Sequence, residues 1–202
     1  MLRAFLAQAA QKGMAAITTR DIAIAAGVNE VTVYRHFGDK TSLAREAVRR
    51  FHPAAAIDAY DPAVDSSTAA TAMDGLLRAL ARLQSLLADR PELLQFGLTE
   101  AARYPDLLDQ VKEIPAAAQR MLTRAFSQSA SQLRPEVSID AEVTGFLGML
   151  LFLATWRSRD PAAITGQQAT GLLAARLRPL LRAQSAGDPP GTAPPARERR
   201  PG

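Results

Sequence analysis

The 202-residue sequence has no cysteine, two histidines (His36 and His52) and few aromatic residues, 5% of the chain. Without thiols there can be no disulfide, no cysteine nucleophile and no thiolate metal site. Two histidines far apart in sequence argue against a histidine metal site. No paired carboxylates and no Ser/His/Asp arrangement stand out either, so the sequence predicts no catalytic residue, no metal and no cofactor. Alternating Val/Ile/Thr-rich runs are also missing, while Leu and Ala dominate, so the expected fold class is all-α. The longest apolar run, 143–156, is shorter than the ~18–20 residues that span a bilayer and contains Gly145 and Gly148. It reads as a buried helix, with no membrane segment. Met1 leads directly into an amphipathic helix, which reads as no signal peptide and suits a cytoplasmic protein.

Charge is present in quantity but is unevenly spread. The net charge is +4. Residues 1–52 hold eight basic groups (Arg3, Lys12, Arg20, Arg35, Lys40, Arg45, Arg49 and Arg50) against Asp21, Glu30, Asp39 and Glu46. Residues 53–186 hold 13 basic and 14 acidic groups and so are close to neutral. Positive potential is therefore concentrated at the N-terminal end, as phosphate binding requires.

Residues 18–40, TTRDIAIAAGVNEVTVYRHFGDK, carry the most specific pattern in the chain. Thr18 is a good N-cap, and Asp21 three residues on completes a capping-box-like pair. Ile22, Ala23 and Ala26 give one apolar helical face. Gly27 ends that helix where a left-handed backbone favours glycine. Asn29 can cap the next helix, whose inner face carries Val33 and Phe37 four residues apart. Two short helices joined by a tight turn, with a basic second helix, predict a helix-turn-helix unit.

On these residues the chain resembles the TetR family of transcriptional regulators. The family pattern appears as Lys12-Gly13, Thr18, Arg20, Ile22-Ala23, Ala26-Gly27-Val28, Thr32, Tyr34, His36-Phe37, Lys40 and Leu43. The fixed spacing of Tyr34, Phe37, Lys40 and Leu43 carries most of the specificity. The resemblance covers about the first quarter of the chain and is only architectural beyond it. It implies an N-terminal three-helix helix-turn-helix domain, a C-terminal helical domain for ligand binding and dimerisation, and about nine helices in all. Members usually carry a basic arm before the first helix; that none precedes it here reads either as a late-assigned start or as a weaker non-specific grip, and Gln8-Ala9 replaces the usual Leu-Phe pair.

The expected organisation is a DNA-binding domain over 1–52, a sensing and dimerisation domain over 53–186 and a disordered Pro/Arg-rich tail over 187–202. Residues 53–67 read as a loop or broken helix at the boundary. Pro91, Pro105 and Pro115 each read as the start of a helix. Residues 138–156 form the expected central buried helix, and a last helix runs from Thr165 to about Ala183.

Within the first domain the expected DNA contacts are Thr18, Thr19, Arg20, Asn29, Glu30, Val31, Thr32, Tyr34, Arg35, His36 and Lys40. The start of the recognition helix should read base edges, with Thr32 donating, accepting or touching a thymine methyl and Val31 offering only apolar contact. Glu30 can accept from cytosine or simply face solvent at a helix start. Arg20 can read guanine or pair with Asp21 or Glu30. Thr18 and Thr19 can cap a helix, bind phosphate, or do both. Lys40, a cation at a helix N-terminus, fits a shared phosphate better than the helix dipole. The resemblance implies a phosphate contact for Tyr34. His52 reads as ordinary surface.

The middle helices offer an apolar pocket bounded by Leu77, Leu80, Leu94, Phe96, Met121, Leu122, Phe126 and Trp156, suited to a hydrophobic or amphipathic small molecule. Gly145, Gly148, Leu172, Leu173, Leu177 and Leu180 form the expected dimer interface. The resulting expectation is a regulator, a repressor, that binds a pseudo-palindromic operator as a homodimer and is released by a small-molecule effector. The alternative is a DNA-binding coregulator or architectural protein whose C-terminal domain binds a protein and no small ligand.

Overall fold

Capping residues set the helix boundaries. The computed structural model describes residues 1–62, 71–160 and 164–182. Four helices come first: α1 (Leu2–Lys12), α2 (Thr19–Ala26), α3 (Glu30–Phe37) and α4 (Lys40–Phe51). Six follow: α5 (Ala54–Asp58), α6 (Ala72–Ala88), α7 (Pro91–Thr99), α8 (Pro105–Gln128), α9 (Ile139–Arg159) and α10 (Gly166–Leu177). Among the described residues there is no β-strand, only an isolated bridge between Leu133 and Leu181. The all-α class holds, with ten helices described against an expected nine or so. The tail at 187–202 and part of the expected 53–67 boundary lie outside the described residues.

Side-chain caps start most of the helices. Thr18, Asn29, Asp39, Thr71, Ser138 and Thr165 each accept a backbone N–H from the first turn of α2, α3, α4, α6, α9 and α10 respectively. Pro91 and Pro105 open α7 and α8 at positions that need no donor. Pro115 behaves differently from the expectation. It lies inside α8, which runs unbroken for 24 residues. The missing proline N–H removes one intrahelical bond, but Ile114, Ala117, Ala118, Met121, Leu122, Ala125 and Phe126 are all buried along the helix and outweigh that loss. The last helix ends at Leu177 rather than near Ala183, because Pro179 forces a tighter 3₁₀ turn over Arg178–Leu180.

Helix α9 packs on α8 and α6, and α10 on α6. Phe126 and Phe146 meet at 5.6 Å between ring centroids in this core. Arg176 ties α10 to α9 through Glu142 and lies over the Phe146 ring at 5.6 Å. The expectation that no segment could span a bilayer is corrected here: residues 139–156 within α9 form an 18-residue window of mean hydropathy 1.4, long and apolar enough by length and composition. The helix gathers residues before the apolar run, which lengthens the segment. Val143, Phe146, Leu150 and Leu153 are nevertheless buried in the protein core. The first four helices join the rest through α1 against α7 and α4 against α8, with Phe5 meeting Phe96 edge-on at 5.9 Å.

Candidate nucleic-acid interface

The helix-turn-helix is built by local hydrogen bonds that leave one face free. Thr18 Oγ1 accepts the Asp21 N–H at 3.1 Å, and Asp21 Oδ2 accepts the Thr18 N–H at 2.9 Å, a reciprocal capping box. The Thr18 hydroxyl and N–H together hold the Asp21 carboxyl below the usual carboxylate range. Gly27 ends α2 at φ 66° and ψ 33°, the left-handed conformation that the turn needs. Asn29 Oδ1 then accepts the Val31 N–H at 2.9 Å and starts α3. Ile22, Ala23 and Val33 are buried between the helices, with Phe37 half-buried against the same core.

The outward face of α3 carries Val31, Tyr34, Arg35 and His36. Val31 is 69% exposed and Tyr34 57%, unusual for side chains with so much apolar surface. Val31, Tyr34 and Arg35 stand three and four residues apart, so they form one stripe. Arg20 is exposed at the start of α2 and forms no ion pair among the described residues, leaving its guanidinium available. Thr32 is half-buried beside the stripe.

Several predicted contacts have structural partners. Glu30 Oε1 accepts from the Thr19 hydroxyl at 2.6 Å, so both side chains tie the start of α2 to the start of α3. Thr18 and Asn29 are occupied as caps. Lys40 Nζ donates to the Ile17 carbonyl at 2.8 Å, pinning the segment before α2 to the start of α4, a partner the sequence did not suggest. His52 is more than surface: its Nε2 bonds the Gln110 carbonyl at 2.6 Å, and its Nδ1 receives the Ala54 N–H at 3.3 Å. Arg45 meets Asp106 at 3.2 Å in a second, solvent-exposed link from α4 to α8. Exposed Ile24, beside the turn, was also missed, and nothing in its alternation with alanine marks it as outward-facing.

In the C-terminal helices, Leu80, Leu94, Phe96, Met121, Leu122 and Phe126 are packed core residues, Leu77 is half-buried, and Trp156 is 46% exposed. Trp156 stacks on Phe152 at 5.5 Å on the outside of α9. Cavities of about 710, 550 and 110 Å³ are lined by other residues. The largest lies between α1, the end of α4 and the α6–α7 turn, with Arg3, Leu6, Phe51, Arg90 and Leu93 among its walls. Of the expected dimer residues, Gly145, Gly148 and Leu172 are exposed. Leu173, Leu177 and Leu180 are corrected to core: they are buried within the subunit, because α10 and the 3₁₀ turn after it face that side onto their own protein. Among the described residues no cluster of His, Asp or Glu could hold a metal ion.

These features define an all-helical protein, in its described residues, with an N-terminal helix-turn-helix. Residues 2–47 match the family model described as bacterial regulatory proteins, tetR family. That match covers the first quarter of the chain, and the chain as a whole shares the fold of solved proteins at low sequence identity. The ketosteroid transcriptional regulator KstR2 of Mycobacterium tuberculosis superposes with a TM-score of 0.70 at 21% identity, over 90% of this chain and 93% of that one. FadR of Bacillus subtilis, solved with stearoyl-CoA, gives 0.62 at 18% identity over 89% and 95%. NalD of Pseudomonas aeruginosa, the secondary repressor of the MexAB-OprM multidrug efflux pump, gives 0.64 at 22% identity over 91% and 95%. No curated protein sequence matches the chain.

Proposed function

We propose that the chain is a cytoplasmic, homodimeric one-component repressor that releases a pseudo-palindromic operator when a small hydrophobic or amphipathic molecule binds its C-terminal domain. Residues 1–52 serve as the DNA-binding domain, 53–186 as the sensing and pairing domain, and 187–202 as a tail outside both. The observation that carries the reading is the α3 stripe of Val31, Tyr34 and Arg35, exposed while every apolar residue on the opposite face is packed. Val31 meets a thymine methyl, Arg35 and Arg20 read guanine, Thr32 contacts the neighbouring base edge, and Tyr34 and His36 hold phosphates. Thr19 and Glu30 position the two helices, Thr18 and Asn29 act as caps, and Lys40 orients the segment before α2 while its charge attracts the backbone. The solved relatives named for ketosteroids, stearoyl-CoA and multidrug efflux support an apolar or amphipathic effector.

Pairing is assigned to the outer face of α9 and part of α10. Gly145 and Gly148 allow close backbone approach, and Phe152, Trp156 and Leu172 are each about half exposed beside them. That apolar surface suits a second copy of the chain. An effector separating α6 from α8, or seated in the 710 Å³ cleft beside Phe51, would shift the end of α4 and with it the spacing of the two α3 helices.

Selection of binding sites from a random duplex pool tests the reading. The selected sites are expected to be two-fold repeats. Arg35→Ala should change the preferred base at one position per half-site, at ~1–3 kcal/mol, while Tyr34→Phe should weaken binding to all sequences alike. Absence of any enriched sequence, with binding indifferent to Arg35, would refute it.

A further inference from the structure

The last turn of α1 and the segment entering α2 are held from the other half of the chain. Gln95, on α7, donates its Nε2 to the Ala10 carbonyl at 2.9 Å, one of the helix-end acceptors of α1 left without an intrahelical donor. Glu100, the residue that ends α7, reaches across 86 positions of sequence and accepts the Met14 N–H on Oε2 at 3.0 Å. The glutamate is 5% exposed and Met14 1%, so this contact lies inside the protein. Arg103 donates to the other carboxylate oxygen at 2.8 Å and balances the charge from the outside. Gly13 makes room for the approach: a Cβ there would stand 3.3 Å from Oε1, and its φ of +81° already favours glycine. A few residues on, the Ile17 carbonyl is taken by Lys40.

The stretch from Met14 to Ile17 is thus fixed at two points, at one end by α7 and at the other by α4, and α2 begins immediately after it. Glu100 and the two anchored residues, Met14 and Ile17, are buried, while Lys40 is only half-buried, so loss of the Glu100 contact in particular would leave a buried N–H unpaired. We infer that Glu100 is a positioning residue for DNA recognition: through Met14 it sets the orientation of α2 and α3 relative to the C-terminal helices. Displacement of α7 reaches the reading helix by this route without passing through α4. The inference rests on the DNA-binding reading above.

A dimer must place two reading helices at a fixed separation to engage both half-sites, whereas non-specific binding needs only the basic surface. Glu100→Ala should therefore weaken binding to the palindrome selected by the wild-type protein by roughly tenfold, within the usual range of coupling between sites. Its affinity for a random duplex of equal length should stay unchanged. Glu100→Gln, which keeps an acceptor for the Met14 N–H, should restore most of the specific affinity, and backbone amide exchange in Glu100→Ala should accelerate at 14–17 ahead of the core. If Glu100→Ala does not fold, Gln95→Ala is measured by the same ratio. Equal losses on both duplexes, or no loss on either, would overturn the inference. Failure of the wild-type protein to bind either duplex would overturn the DNA-binding reading instead.

Discussion

Two glycines show how differently the two halves of this molecule are specified. Gly27 has nothing within 4 Å of where a Cβ would sit, yet its φ of +66° makes it the residue that lets the chain turn from α2 into α3. Gly97, in α7, needs no special backbone but lies so close to α8 that a Cβ would meet Val111 Cγ1 at 2.6 Å. The turn of the N-terminal unit is set by local backbone geometry and by side-chain caps between residues two or three apart, with Thr19–Glu30 and Lys40–Ile17 added across it. The C-terminal half is defined by side-chain packing between segments distant in sequence. Only the first kind of instruction is written in consecutive residues.

The largest effect should come from the packed half. Phe126→Ala removes a fully buried ring that meets Phe146, and should cost about 3–5 kcal/mol in chemical denaturation. A loss below ~1 kcal/mol would mean that this core is not closely packed. Gly97→Ala comes next: forcing a methyl against Val111 should cost about 1–3 kcal/mol, and Val111→Ala in the same chain should recover much of it. Gly27→Ala should cost about 1–2 kcal/mol through backbone strain alone, and no compensating truncation nearby should rescue it. If trimming a neighbour does rescue Gly27→Ala, the contrast between the two glycines fails.

The smallest effect belongs to the cap of α2. Folding lowers the pKa of Asp21 through the Thr18 hydroxyl and N–H. The carboxylate therefore favours the folded state at pH above its unfolded value of ~3.9, and that contribution is lost as pH falls through the lower folded value. Asp21→Asn should melt below the wild type at neutral pH, and the two curves should converge as the pH drops below about 4. A constant gap across that range would separate the stability of α2 from the charge of Asp21.

Legibility in the sequence followed the same division. The caps Thr18 and Asn29, the turn at Gly27 and the anchors Ala23 and Val33 were readable because each acts on neighbours within one helical turn. Of the residues expected to pair, Gly145, Gly148 and Leu172 are exposed while Leu173, Leu177 and Leu180 are buried in the subunit, a split the sequence hides because a leucine stripe is the same whether it meets its own core or a partner. Pro115 read as a helix start because local rules see the missing N–H and not the buried face that carries α8 past it. The contacts of Lys40 with Ile17, His52 with Gln110 and Glu100 with Met14 had no signal at all, because their partners are backbone groups brought close only by the fold.

The most direct test of the account is the composition and symmetry of the DNA complex. Sedimentation of the full chain with its selected duplex should give two chains per DNA, with half-site centres about one helical turn, ~34–36 Å, or a multiple of it apart. Gly148→Glu should yield monomers that lose this complex while keeping a folded N-terminal unit. A wild-type protein that stays monomeric at micromolar concentration and protects a single half-site would contradict the account.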